Sequence, residues 1–183
     1  MWNINQRKKV FQFDLETGGG IRSLCFSVNG KSVFCGCDNG KVYELDILNN
    51  KVKNSIQAHK SSHILGIEAS SDGKYLYTIG YSDHSLKQWD ISNGLSNSQQ
   101  PSHVFEKNGK YPRCLFLSSN GRFAFIGYSS ENFKQWDLNE KKLFKDYGQV
   151  SEKHCYSGCI TRSGKDIILG FQDGSSQHWI AES

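Results

Sequence analysis

A chain of 183 residues with 37% apolar and 13% aromatic side chains can pack a core, which excludes a disordered polymer. No apolar run approaches the roughly 20 residues that cross a bilayer, and the stretch from Met1 to Lys9 is charged without an apolar segment behind it, so neither a membrane helix nor a signal peptide is expected. A formal net charge of +4 permits acidic partners but does not by itself argue for nucleic acid.

In chain order, Trp2-Asn3-Ile4 reads as the end of one strand and Val10 to Leu15 as a further, outer strand. Thr17-Gly18-Gly19-Gly20 lacks the Gly-Lys-Ser/Thr that completes a phosphate-cradling loop and precedes a strand, so it reads as a connection between units. From there the chain repeats. Four turns align: Val28-Asn29-Gly30-Lys31, Ser71-Asp72-Gly73-Lys74, Ser119-Asn120-Gly121-Arg122 and Arg162-Ser163-Gly164-Lys165, with glycines 43, 48 and 43 residues apart. Asn-Gly and Asp-Gly supply the positive φ that a tight strand-to-strand turn demands. A second glycine follows six or seven residues later, at Gly36, Gly80, Gly127 and Gly170, and nine residues beyond each stands Leu45, Trp89, Trp136 or Trp179.

In the second unit the strands run from Ile64 to Ala69, Tyr75 to Ile79 and Ser85 to Trp89. A more polar fourth strand follows in the first three sets, such as Val52 to Ile56 or Lys142 to Tyr147, and the last set is expected to have three strands. Helical spacing is nowhere sustained, and four short strands every 43 to 48 residues match the period of propeller blades. The fold class is all-β.

The runs Leu86-Lys87-Gln88-Trp89-Asp90-Ile91 and Phe133-Lys134-Gln135-Trp136-Asp137-Leu138 resemble the closing strand of WD-repeat β-propellers, and the Ser-Asp-Gly-Lys and Ser-Asn-Gly-Arg turns match that family's first hairpin. The resemblance covers about residues 2 to 180. It implies a β-propeller of WD-type repeats forming a single region over 1–183, with units near 2–15 (partial), 16–56, 57–106, 107–147 and 148–183. About four blades fall short of the roughly seven usual in such rings. An incomplete ring or arc is therefore expected, with further blades coming from a longer chain or a second copy. The alternative is a compact four-bladed ring closed by the N-terminal strand.

The resemblance also implies a structural network of a loop His, a strand hydroxyl, a turn Asp and the Trp. It maps onto His59, Asp83 and Trp89, with Ile79 where the hydroxyl stands. The fourth unit keeps Asp173 and Trp179 with Val150 near the His position. The third has Trp136 with Ser130 in the Asp position, and the first has Asn39 and Leu45.

Chemistry is sparse. His59 with His63, and Cys35 with Cys37, form no four-ligand set, so no metal is expected. His154, Cys155 and Cys159 lack the orienting group and oxyanion site that a nucleophilic pair needs. No paired carboxylates stand out. Six cysteines at irregular spacing, with Cys25, Cys35, Cys114 and Cys159 inside apolar runs, read as free thiols acting as small hydrophobes in a reduced chain. That points to a cytoplasmic setting, with the nucleus as the alternative, and to no enzyme and no cofactor.

Tyr81, Tyr128 and Phe171 each follow the second glycine. Two readings stand side by side: blade-to-blade packing, or an aromatic ring on the face where the second-to-third strand turns emerge. On the second reading Lys110, Tyr111, Arg113 and His154 would join it as a partner-binding surface. Lys31, Lys74, Arg122 and Lys165 fall on the opposite face as solvated turn residues. The expected function is a non-catalytic scaffold docking other proteins or peptides. The alternative is a basic propeller touching RNA or another polyanion in a ribonucleoprotein assembly.

Overall fold

The computed structural model describes residues 2–3, 5, 7–9, 12–15, 19–105, 110–129, 132–150 and 152–181, with only the backbone at 2, 3, 132 and 149. Strands β1 (Trp2–Asn3) and β2 (Lys8–Lys9) form a small antiparallel hairpin. Blade 1 contains β3 (Ile21–Phe26), β4 (Ser32–Cys37), β5 (Lys41–Asp46) and β6 (Lys51–Gln57). Blade 2 contains β7 (Ile64–Ala69), β8 (Tyr75–Gly80), β9 (Ser85–Asp90) and the two-residue β10 (His103–Val104). Blade 3 contains β11 (Pro112–Leu117), β12 (Phe123–Tyr128), β13 (Asn132–Asp137) and β14 (Lys142–Gln149). Blade 4 has three strands, β15 (Cys155–Ile160), β16 (Asp166–Phe171) and β17 (Ser176–Ile180). Within each blade the spatial order follows the chain and all pairs are antiparallel.

Local chemistry explains the hairpins. Gly30, Gly73, Gly121 and Gly164 all take positive φ, between 67° and 74°. The side-chain oxygens of Asn29, Asp72 and Asn120 each accept the backbone N–H two residues on, at 3.0 Å, closing the same turn three times. The fourth turn uses the Ser163 hydroxyl instead, at 3.4 Å.

Period-two alternation then sorts side chains between neighbouring blades. In β12, Ala124, Ile126 and Tyr128 join Ile79, Leu86 and Phe105 in the seam between blades 2 and 3. Phe123 and Phe125 join Ile167, Leu169 and Phe171 in the seam between blades 3 and 4. A third seam unites Phe34, Val42 and Ile56 with Ile64, Leu76 and Trp89. The inner strands β3, β7, β11 and β15 lie side by side in that order. Among the described residues the sheets do not close into a ring, and blade 4 pairs with no N-terminal strand.

The N-terminus therefore differs from expectation. Trp2 and Asn3 pair with Lys9 and Lys8 rather than ending a blade strand. Of the outer strand expected from Val10 to Leu15, Val10 and Phe11 lie outside the described residues and 12–15 form no strand. Phe13 and Leu15 instead pack on the open face of blade 1, over Cys35, Cys37, Tyr43 and Leu45. They cover it in part, since Leu24 and Phe26 remain 61% and 66% exposed. At the other end Cys159, expected in the core, is exposed because its strand belongs to the last blade.

Blade 2 carries an offset that changes which residues correspond. In blades 1, 3 and 4 the second glycine pairs with Ser23, Cys114 and Ser157. In blade 2 that place belongs to Ile79, paired with Gly66, while Gly80 pairs with Ile64 one step further on. Blade 2 has seven rather than six residues from turn glycine to second glycine, and a one-residue slip sends a side chain to the opposite face. Tyr128 and Phe171 thus correspond to Gly80, not Tyr81. Both are buried in blade seams and leave the expected surface ring.

Candidate protein-docking site

In each blade the turn between the second and third strands emerges on the same edge as the connection from one blade to the next. In blade 2 a buried chain of hydrogen bonds holds these two loops together. The Trp89 indole N–H donates to Thr78 Oγ1 at 2.9 Å, and Thr78 Oγ1 lies 2.8 Å from His59 Nε2. His59 Nδ1 lies 2.7 Å from Asp83 Oδ2. Donors and acceptors balance in one way: Thr78 O–H donates to Nε2, and Nδ1–H donates to the carboxylate. The hydroxyl member is therefore Thr78, not Ile79. Thr78 shares the blade 1 face with Leu76 and Trp89, whereas Ile79 points into the seam with blade 3.

Burial holds the His59 imidazole below its ordinary pKa, partly offset by Asp83, so the ring is neutral. Burial alone would raise the Asp83 carboxyl. The His59 hydrogen bond and the Lys87 ammonium, 3.2 Å away, outweigh it and hold the group well below the usual carboxylate range. Gly80 makes room for the network: a Cβ there would lie 2.1 Å from Asp83 Oδ1 and 2.3 Å from His59 Nδ1.

Blades 3 and 4 do not assemble this network. Ile126 and Leu169 stand where Thr78 stands, and the buried Trp136 indole N–H has no partner among the described residues. Trp179 donates to Gln177 Oε1 at 2.9 Å, and Asp173 caps its own turn through Ser175. Val150 offers its carbonyl to Gln177, and Ser130 lies outside the described residues. In blade 1 Asn39 accepts the Lys41 N–H within its turn.

The network fixes the turn that carries Tyr81, whose N–H donates to the His63 carbonyl at 2.9 Å. Arg113, at the register shift that opens β11, reaches across to it. Its guanidinium carbon sits 4.7 Å from the Tyr81 ring centroid and 5.5 Å from that of Tyr156 on blade 4. Its Nε donates to Ser129 Oγ at 2.6 Å and its NH2 lies 3.4 Å from the Tyr81 hydroxyl. Tyr111 packs 4.8 Å from the Tyr81 ring and 4.4 Å from that of His84, yet stays 43% exposed. His154 donates from Nδ1 to the Ser129 carbonyl, and its ring lies 6.1 Å from that of Tyr156, which is 48% exposed.

Tyr81, Tyr111, Arg113 and His154 thus come together, whereas Lys110 stands in the field of Asp146 on outer strand β14. Sequence reasoning missed His63, His84, Ser129 and Tyr156. Each opens an inner strand or sits in an edge turn, and only knowledge of which strands are neighbours reveals them. Beyond His63 the patch continues into blade 1. There His63 Nδ1 is 3.0 Å from the Asp38 carbonyl, and Asp38 accepts two bonds from Arg22 at 2.6 and 3.0 Å.

Three four-stranded blades and a fourth of three strands, two of them with Trp-Asp strand ends and one with a His–Thr–Asp–Trp network, give the chain an architecture of the WD-repeat β-propeller type. The family described as the anaphase-promoting complex subunit 4 WD40 domain matches residues 3–71, which supports a WD-repeat family for the chain. It is also similar to U3 small nucleolar RNA-associated protein 12 of Saccharomyces cerevisiae, at 29% identity over 102 residues. That alignment takes in 55% of this chain and 10% of the yeast protein, so the chain spans a small part of that relative's length.

Proposed function

We propose that this chain is a non-catalytic scaffold that docks another protein or peptide on the edge formed by Tyr81, Tyr111, Arg113, His154 and Tyr156. The observation that carries the reading is Arg113 set between two tyrosine rings from different blades, with a third ring beside it. Tyrosine and arginine are the side chains that most often anchor protein interfaces. Here they are pre-positioned, so less conformational entropy is lost on binding. The setting is cytoplasmic or nuclear. Affinity capture from cells with quantitative mass spectrometry tests it, comparing the parent chain with Tyr111→Ala and Tyr156→Ala. At least fivefold loss of the same partners, with unchanged urea midpoints, is expected. Identical partner sets would overturn the assignment.

A second reading, contact with RNA or another polyanion, draws on the net charge of +4 and on the name of the yeast relative, a small nucleolar RNA-associated protein. Salt separates the two. Polyanion complexes weaken by orders of magnitude between about 50 and 200 mM salt, whereas an aromatic docking site responds little.

A further inference from the structure

Directly beneath this edge, the seam between blades 3 and 4 holds two thiols with no role in the docking reading. Cys114, on β11, and Cys155, the first residue of β15, are both buried and place their sulfurs 3.7 Å apart. Gly127 leaves space for the pair: a Cβ there would lie 2.8 Å from the Cys114 sulfur and 2.6 Å from that of Cys155. The equivalent place between blades 1 and 2 shows that the fold itself does not require sulfur. There Gly36 faces Ser23 and Ile64, and the Ser23 hydroxyl donates to the Ile64 carbonyl at 2.9 Å.

We propose that Cys114 and Cys155 form an oxidisable dithiol site, which a peroxide converts to a disulfide bridging blades 3 and 4. The sulfurs need to approach by about 1.7 Å to reach the roughly 2.05 Å bond, a change within reach of side-chain rotation. A groove of about 240 Å³, lined by Arg113, Cys114, Tyr156 and Ser157 among others, brings a small oxidant to the Cys114 side of the pair, 3.7 Å from the Cys155 sulfur. The polarity of the pair suits the chemistry. The Cys114 S–H hydrogen bond lowers the Cys155 thiol from its ordinary pKa, while the same bond and burial raise Cys114.

Cys155 thiolate attacks one oxygen of hydrogen peroxide. The S–O bond forms, the O–O bond breaks, and the departing hydroxide takes a proton to become water. Cys114 sulfur then attacks that sulfenic sulfur, the S–O bond breaks, and the second hydroxide leaves with the Cys114 proton as water. In sum, two thiols lose two electrons and two protons, and one peroxide becomes two waters. The bridge closes a 41-residue separation and fastens the three-stranded blade 4, which among the described residues packs on blade 3 alone. Because Arg113 precedes Cys114 and Tyr156 follows Cys155, the bridge forms beneath the docking edge, although the chemistry stands without that reading.

The test uses the whole reduced chain, treated with one equivalent of hydrogen peroxide and then denatured and alkylated. Four alkylated thiols rather than six, a matching intact mass, and a linked peptide joining Cys114 to Cys155 are expected, all reversed by dithiothreitol. A tryptic fragment carries both Cys155 and Cys159, so Cys159→Ser, exposed and outside the seam, assigns the partner and must bridge equally well. Six free thiols, a bridge to any other cysteine, or sulfinic acid without a bridge would overturn the proposal. The parent chain alone suffices for the measurement, so a variant that fails to fold leaves the outcome readable.

Discussion

Thr78→Val removes one oxygen from the middle of the blade 2 network and leaves its shape nearly intact. The γ-methyl takes up the hydroxyl's volume, so little cavity forms, and the loss isolates the hydrogen bonds. Two fully buried groups then lose their partner: the Trp89 indole N–H, at 2.9 Å, and His59 Nε2, at 2.8 Å. Each unpaired buried group costs about 1–3 kcal/mol. The two share one hydroxyl and are coupled, so the sum falls at roughly 2–4 kcal/mol. With a urea slope of about 2 kcal/mol/M, the unfolding midpoint should drop by roughly 1–2 M when followed by tryptophan fluorescence. Thr78→Ser keeps the hydroxyl and loses one methyl, and should cost about 1 kcal/mol. A valine variant within about 0.5 kcal/mol of the parent, or a serine variant equally damaged, would refute the network as a source of stability.

Burial pushes the Glu68 carboxyl, in the inner-strand groove, up to about 7 from an ordinary 4.5. The folded chain therefore binds that proton more tightly than the unfolded one. The contribution is complete below pH 4.5 and is lost as pH rises to 7, amounting to about 1–3 kcal/mol after allowance for partial exposure. Glu68→Gln should flatten the stability profile between pH 4.5 and 7.5 relative to the parent, and parallel profiles would remove Glu68 from the account. In the open arc, Asp14 lies beside the capped face of blade 1 and Ser176 on the outermost blade at the other end. Asp14→Cys combined with Ser176→Cys should not crosslink within a dilute monomer under a bifunctional thiol reagent. Rapid intramolecular linkage would instead favour a closed four-bladed ring.

The hairpins, the strand class and the blade count were legible in the sequence because each depends on chemistry within a few residues. Asn29-Gly30, Asp72-Gly73 and Asn120-Gly121 turn the chain by positive φ and a side-chain oxygen wherever they occur, and Trp89 and Trp136 end their strands at constant distance. The faces of those strands were not legible. One additional residue before Gly80 was invisible against the matching glycines, yet it moved the hydroxyl partner from Ile79 to Thr78. The same offset sent Tyr128 and Phe171 into the seams while leaving Tyr81 on the edge. Side-chain direction in a sheet has period two, so register decides burial, and register is set by hydrogen bonds to a neighbouring strand. Spatial neighbours were decided by tertiary structure alone. Arg113 meets Tyr156, and Cys114 meets Cys155, across more than 40 residues of chain because β11 and β15 lie side by side in the stacked blades, an adjacency produced by apolar burial between sheets rather than by any local motif.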